Sequence, residues 1–326
     1  MKTAFVTGGS GHLGGNLVRK LLKKGWRVKC LVHKDLTALS TLDIQTVKGD
    51  LSDSNFLSAK MEGCDAVFHS AAYVAIENVN IPLMHEINVV GTKNICQAAI
   101  AANIPKLVYF SSIHAFNQKP TNEPLEEGRP LVDHKNDLPY DKTKAAAQRM
   151  IYEACDKGLN AIILHPTGII GPYDFKPSRM GKVLVDIMTK KMLININAGF
   201  NWVDVRDVSN TAINCIAAGK QGQHYIIPGE WATFREISIM VSKKLSLTTN
   251  LLTLPFWTAY LALPFAFLFS KLTGKRPSFS RGSLRALAVQ CQNIPGTLAK
   301  EEIGHFSRPL VETIDDTITW FNENAY

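Results

Sequence analysis

Tyr140 and Lys144 are the residues of this 326-residue chain whose types and spacing best fit chemistry. In Tyr140-Asp141-Lys142-Thr143-Lys144 they stand four apart, so a helix would carry phenol and ammonium on one face. A cation beside a phenol favours the phenolate and lowers a pKa that is about 10 when unperturbed. The spacing predicts a general acid/base usable near neutrality. Alone the pattern is weak, because a Lys-rich chain with 8 Tyr meets it by chance. It gains weight from Ser111-Ser112, which ends an apolar run, and from the glycine-rich stretch Gly8-Gly9-Ser10-Gly11-His12-Leu13-Gly14.

Such glycines mean something only between a strand and a helix. Both are readable here: an apolar run over 4–6 and a helical pattern over 13–22. In that setting the glycines give a tight turn, close approach to a pyrophosphate, and close packing of helix on strand. The new helix offers its free amides and positive end to the phosphates. Further strands are expected over 27–32, 44–48, 66–69, 107–110 and 161–164, with helices over 82–102 and 142–154. This alternation predicts an α/β fold, a Rossmann-type doubly wound parallel sheet. Ligands on such sheets sit at the carboxyl ends of the strands. Asp50-Leu51, Ser70-Ala71-Ala72 and Ser111-Ser112 fall there, and the small Ala71 and Ala72 let the backbone lie against a cofactor.

The end of the second strand bears on cofactor choice. An acidic residue there binds the ribose hydroxyls of NAD, whereas a cation accepts the 2′-phosphate of NADP. Val32 occupies the acidic position, His33 and Lys34 follow, and Asp35 comes one or two places late. The reading is NADP(H) preferred, with NAD(H) as the alternative.

Composition excludes several classes. With 46% hydrophobic and 20% charged residues the chain is globular, without a low-complexity segment. The net charge of +8 invites a nucleic-acid reading, but the cations are spread out and no nucleic-acid motif interleaves them. Arg19, Lys20, Lys23, Lys24 and Arg27 read as a solvated helix face. The 6 cysteines show no C-x-x-C spacing, which predicts buried free thiols in a reducing compartment and no metal site. Because the chain opens on its first strand, no signal peptide is expected, and the reading is cytoplasmic.

Taken together, the motifs resemble an extended short-chain dehydrogenase/reductase of the NAD-dependent epimerase/dehydratase superfamily. Thr7-Gly8-x-x-Gly11-x-x-Gly14, Asp50-Leu51, Asn88-x-x-Gly91-Thr92, Ser111-Ser112 and Tyr140-x-x-x-Lys144 match its pattern in order. So do His165-Pro166-Thr167-Gly168 and Trp202-Val203-Asp204-Val205-Arg206-Asp207-Val208. The end of the second strand and the Ser-Ser-Ile-His loop resemble the dihydroflavonol reductase and 3β-hydroxysteroid dehydrogenase branch. The resemblance implies Tyr140 as acid/base, Lys144 tuning it and holding the nicotinamide ribose, and Ser112 hydrogen-bonding the reacting oxygen. It implies cofactor contacts from Gly8, Ser10, Gly11, His12, Leu13, Gly14, His33, Lys34, Asp50, Leu51, Ala71, Ala72, Asn88, Tyr140, Lys144, His165 and Thr167. His114 reads as a cleft-lining histidine, since Tyr140 already fills the acid/base position. His165 replaces a usual Arg and Tyr173 a usual Gly, both on the substrate side.

The division expected is a dinucleotide-binding part, 1–165 plus about 201–227, and a substrate region, about 166–200 and 228–326. Segments 202–208 and 224–227 read as returns to the sheet. From Leu245 to Ser270 there is no charged residue, and 251–269 is mostly Leu, Phe and Ala. A helical lid over an apolar pocket, or a homodimer face, is the first reading of this segment. Peripheral membrane contact through 251–285, with its cationic end, is the second, and a true span the third. The first two imply a hydrophobic small-molecule substrate. The function expected is a reductase or dehydrogenase moving a hydride between nicotinamide and a hydrophobic carbonyl or hydroxyl compound. The alternatives are a sugar-nucleotide epimerase or dehydratase that retains NAD, and a non-catalytic nucleotide-sensing scaffold.

Overall fold

Residues 1–75, 79–191, 194–247, 252–273 and 280–324 are described in the computed structural model, with the backbone alone for 266–273. Each apolar run of the first half forms a strand backed by a helix. The chain begins β1 (Thr3–Thr7), α1 (His12–Lys23), β2 (Arg27–Val32), β3 (Gln45–Lys48), α2 (Ser54–Met61) and β4 (Ala66–His69). The helix expected over 82–102 is three joined pieces: α3 (Ile81–His85), a π-helical turn over Glu86–Val90, and α4 (Gly91–Ala101). Next come β5 (Leu107–Phe110), α5 (Pro139–Asp156) and β6 (Ala161–Pro166). Pro139 stands in the first turn of α5, where its missing amide proton costs nothing, so the helix takes in Tyr140.

The second half runs β7 (Gly168–Ile170), α6 (Arg179–Met188), β8 (Ile194–Ile196), β9 (Gly199–Asp204), α7 (Val205–Ala218) and β10 (His224–Ile227). It continues through β11 (Glu230–Thr233), α8 (Phe234–Lys244), β12 (Leu252–Leu254) and α9 (Thr258–Thr273). It finishes with α10 (Arg281–Ala288), α11 (Thr297–Ile303) and α12 (Leu310–Glu323).

Seven parallel strands form the central sheet in the order β10-β6-β5-β4-β1-β2-β3. Successive side chains leave opposite faces. Ala4, Val6, Phe68 and Val108 therefore pack with α1 and α7, while Phe5, Val67, Leu107 and Tyr109 pack with α2, α4 and α5. Segment 202–208 does not return to this sheet. Trp202 to Asp204 belong to β9, which pairs with β7 and β11 in a separate three-stranded sheet, and Val205 already starts α7. Trp202 is held there because its indole donates to the Ala232 carbonyl at 2.9 Å inside a third core with Phe234, Leu184 and Ile314.

The apolar segment divides into β12, paired with β8, and α9, which contains Pro264. Among the described residues no helix is long and apolar enough to cross a membrane. Leu251, Lys275 and Arg276 of that stretch lie outside the described residues. All six cysteines are free thiols.

Candidate active site

Crowding dictates the glycine turn after β1. Gly8 has φ +73°, and a Cβ there would stand 2.6 Å from the Ala71 amide nitrogen. Only a residue without a side chain fits that backbone and that gap. A Cβ on Gly14 would come 2.2 Å from the Gly8 carbonyl oxygen, so α1 touches the turn backbone to backbone. Gly11 is the N-cap of α1, without a capping side chain, and no acid occupies the first turn. Beyond Ser10, the amides of His12, Leu13 and Gly14 thus form an electropositive helix end suited to a pyrophosphate. The ring of His12 is turned elsewhere, its Nε2 lying 3.1 Å from the carbonyls of both Gly171 and Pro172.

At the end of β2, Val32 is buried while His33 and Lys34 are exposed. Asp35 is drawn to Lys176 at 2.7 Å and also accepts from Thr37, which hold its carboxyl down at about 2. Asp50 accepts from the Ser52 hydroxyl and amide, which lowers its pKa, and Leu51 covers Gly91 at the start of α4.

One directed hydrogen-bond chain ties the end of β4 to both parts of the site. Thr92 Oγ1 donates to the Asn88 carbonyl at 2.7 Å, so it accepts from His69 Nε2 at 3.0 Å. That sets the tautomer, and His69 Nδ1 accepts from Thr7 Oγ1 at 2.7 Å. Thr7 Oγ1 in turn accepts the Ala71 amide at 3.3 Å, beside half-buried Ala72. Burial, and then the Lys144 charge, push the His69 pKa down to about 3, keeping the neutral ring this wiring needs. Asn88, buried in the π-helical turn, grips Tyr73 through both backbone atoms and donates to Thr143 Oγ1 at 3.0 Å. Thr143 donates to the Tyr140 carbonyl at 2.8 Å. Asn88 therefore joins the segment after β4 to the first turn of α5. In sequence His69 reads only as the last residue of the strand over 66–69, and the signal it offers is a polar ring closing an apolar run.

Ser112 and Tyr140 are neighbours: the serine hydroxyl favours the ionised phenol, and it accepts the His114 amide at 3.2 Å. Lys144 does not lower the phenol as the spacing predicts. Its Nζ donates to the Phe110 carbonyl at 2.7 Å and reaches the Tyr109 hydroxyl at 3.4 Å. The Tyr140 pKa goes up: burial is the main cause and the Asp141 charge adds to it, while only the Ser112 hydrogen bond opposes. Burial also lowers Lys144 to about 7, and a cation half lost at neutrality holds a phenolate poorly. Asp141 is raised to about 7, by burial first and then by Asp137, with Arg285 opposing. It lies 3.9 Å from His114 Nδ1, and burial lowers that histidine to about 4.

His165 and Thr167 stand at the end of β6. His165 Nδ1 meets the Ser112 carbonyl at 2.9 Å, and burial lowers the ring to about 3. Its Nε2, Ser111 Oγ and Thr167 Oγ1 are buried with no hydrogen-bond partner among the described residues. Buried polar atoms are ordinarily paired. Three open ones at the ends of β5 and β6, in line with the glycine cradle, fit a bound nicotinamide dinucleotide. Among the described residues no group of His, Cys, Asp or Glu could hold a metal ion. Arg19 departs from the solvated face expected of it. It is half-buried, its guanidinium 4.6 Å over the Tyr173 ring and 5.2 Å over Phe175, donating to the Ala38 carbonyl.

Residues 4–227 match the model of the NAD dependent epimerase/dehydratase family. The chain is 30% identical to a putative dihydroflavonol 4-reductase of Synechocystis sp., over 99% of this chain and 95% of that protein. It is 32% identical to sterol demethylase protein B of Methylococcus capsulatus, over 72% of each. Among solved structures, that of gox2253 superposes with a TM-score of 0.85 at 28% identity, covering 100% of this chain and 99% of that one.

Proposed function

The chain belongs to the NAD-dependent epimerase/dehydratase family, and on that premise we propose an NADP(H)-preferring reductase or dehydrogenase acting on an apolar carbonyl or hydroxyl compound. Family membership makes it an enzyme of nicotinamide chemistry; the phosphorylated cofactor, the substrate class and the residue roles are our reading. The observation that carries it is the Ser112–Tyr140 contact beside Lys144, at the strand ends where the open polar atoms lie. The apolar substrate is supported by the uncharged segment 245–270, and by relatives named for a flavonol and a sterol. The NADP preference is supported by exposed His33 and Lys34 after a strand end that lacks an acid, with Asp35 drawn off to Lys176.

Bound NADP(H) would supply the hydride chemistry. The amides of residues 12–14 would hold its pyrophosphate, His33 and Lys34 its 2′-phosphate, and Lys144 and Thr167 its nicotinamide end. Tyr140 gives its proton to the carbonyl oxygen in reduction and takes one from the alcohol in oxidation. With its pKa raised, the phenol is protonated at neutral pH, the form a reductase needs. Ser112 hydrogen-bonds the same oxygen. Assayed with NADPH against a panel of apolar ketones, Tyr140→Phe is expected to lower kcat about 10²–10⁴-fold. NADPH affinity should stay within about twofold, since the change removes only a proton donor. Turnover retained by the variant would take Tyr140 out of the mechanism.

A further inference from the structure

The uncharged segment leaves an apolar face uncovered. Trp257, Leu261 and Phe265 are spaced by four, so they share one side of α9 and the turn before it, and they are 61%, 64% and 74% exposed. Further exposed apolar groups stand on the strand pair that precedes α9 in the chain. Leu252 lies opposite Ile194 in the β12–β8 pair, and both are exposed. Exposed Ile239 lines a groove with Leu254, Pro255, Arg235 and Glu236, whose carboxylate is engaged by Thr233 at the start of α8. Soluble proteins seldom leave so many large apolar groups together on the surface without a use.

Charge decides what covers this face. From Ile237 to Lys300 the chain carries eight Lys and Arg and no Asp or Glu, which matches the +8 net charge of the whole molecule. Arg281 and Arg285 are exposed on α10, which packs against α9, and exposed Lys190 and Lys191 come just before β8. A second copy of the chain would bring the same cations against themselves, because a two-fold interface sets each patch on its own image. An anionic bilayer offers negative headgroups to the cations and acyl chains to Trp257, Leu261 and Phe265. With no helix among the described residues long enough to cross, the contact is peripheral. We infer that the protein docks on anionic membrane surfaces through α9, the β8–β12 pair and their flanking cations.

The test is flotation of the full chain with vesicles of phosphatidylcholine, alone or with about one third phosphatidylglycerol, alongside light scattering without lipid. The expected result is binding to the anionic vesicles, weak binding to the neutral ones, and about a fivefold loss in high salt. The triple variant Trp257→Ser, Leu261→Ser, Phe265→Ser should bind about tenfold more weakly while melting at an unchanged temperature. Should that variant fail to fold, Lys190→Glu with Lys191→Glu must still lower binding to the anionic vesicles. Equal flotation by the variants and the wild type, or no flotation at all, would overturn the inference. So would a dimer in solution that the triple variant abolishes without any effect of lipid.

Discussion

Asp141, beside the phenol, and Lys144, one turn on from Tyr140 in α5, are displaced in opposite senses, toward the same pH. Asp141 titrates at about 7 in the fold against 3.8 for the free group, so the folded state binds more protons than the unfolded one between those values. Stability from this group is present below 3.8 and lost as pH rises toward 7. Lys144 titrates at about 7 against 10.5, so here the unfolded state binds more protons, and stability rises from pH 7 to 10.5. Together the two place a dip in stability near neutrality. Asp141→Asn is expected to flatten the limb below pH 7, whose limiting slope is about 1.4 kcal/mol per pH unit. Lys144→Met should flatten the limb above it. Melting temperature against pH for the three proteins checks both, and unchanged limbs would show that these groups titrate normally. The spacing Tyr140-x-x-x-Lys144 made the two partners legible in the sequence. It could not give the sign of the phenol's shift, because burial dominates and burial is a property of the packed cleft.

The glycine turn with α1 is the element on which cofactor binding depends. Gly14→Ala is expected to destabilise the fold by about 3 kcal/mol, since its Cβ would meet backbone of Gly8 and Gly9 and no side chain can yield. Affinity for NADPH should fall about tenfold or more as the helix end is pushed out of line. Denaturant unfolding and a binding titration read the two effects separately, and a variant with wild-type values in both would show that turn and helix need not touch. This element was legible as strand, turn and helix. The π-helical turn over Glu86–Val90 was not, because its residues carry the same apolar spacing as the α-helices on either side, yet it is what aims Asn88 at Tyr73 and Thr143. Nor was the partner of β9, since Trp202 reads as an ordinary sheet residue until the Ala232 carbonyl claims its indole.

Across the whole molecule, the strand order reverses beside β1, between β1 and β4, which is where a doubly wound sheet opens its crevice. Gly8, Ala71, Ser112 and Thr167 all stand just beyond the carboxyl ends of the strands, so one extended ligand could lie across them. The alternation of strand and helix announced this arrangement through β6; the later strands were obscured because β7, β8, β9, β11 and β12 form small sheets outside the main one. The measurement that tests the account most directly is titration of the gently purified chain with NADPH and NADH, with mass identification of any nucleotide it carries. The expected result is a chain free of tightly held nucleotide that binds NADPH about tenfold more tightly than NADH, as one charge-assisted contact to the 2′-phosphate would give. Tightly retained NAD would contradict it in favour of a hydride-returning epimerase or dehydratase, and failure to bind either nucleotide would contradict the nicotinamide site itself.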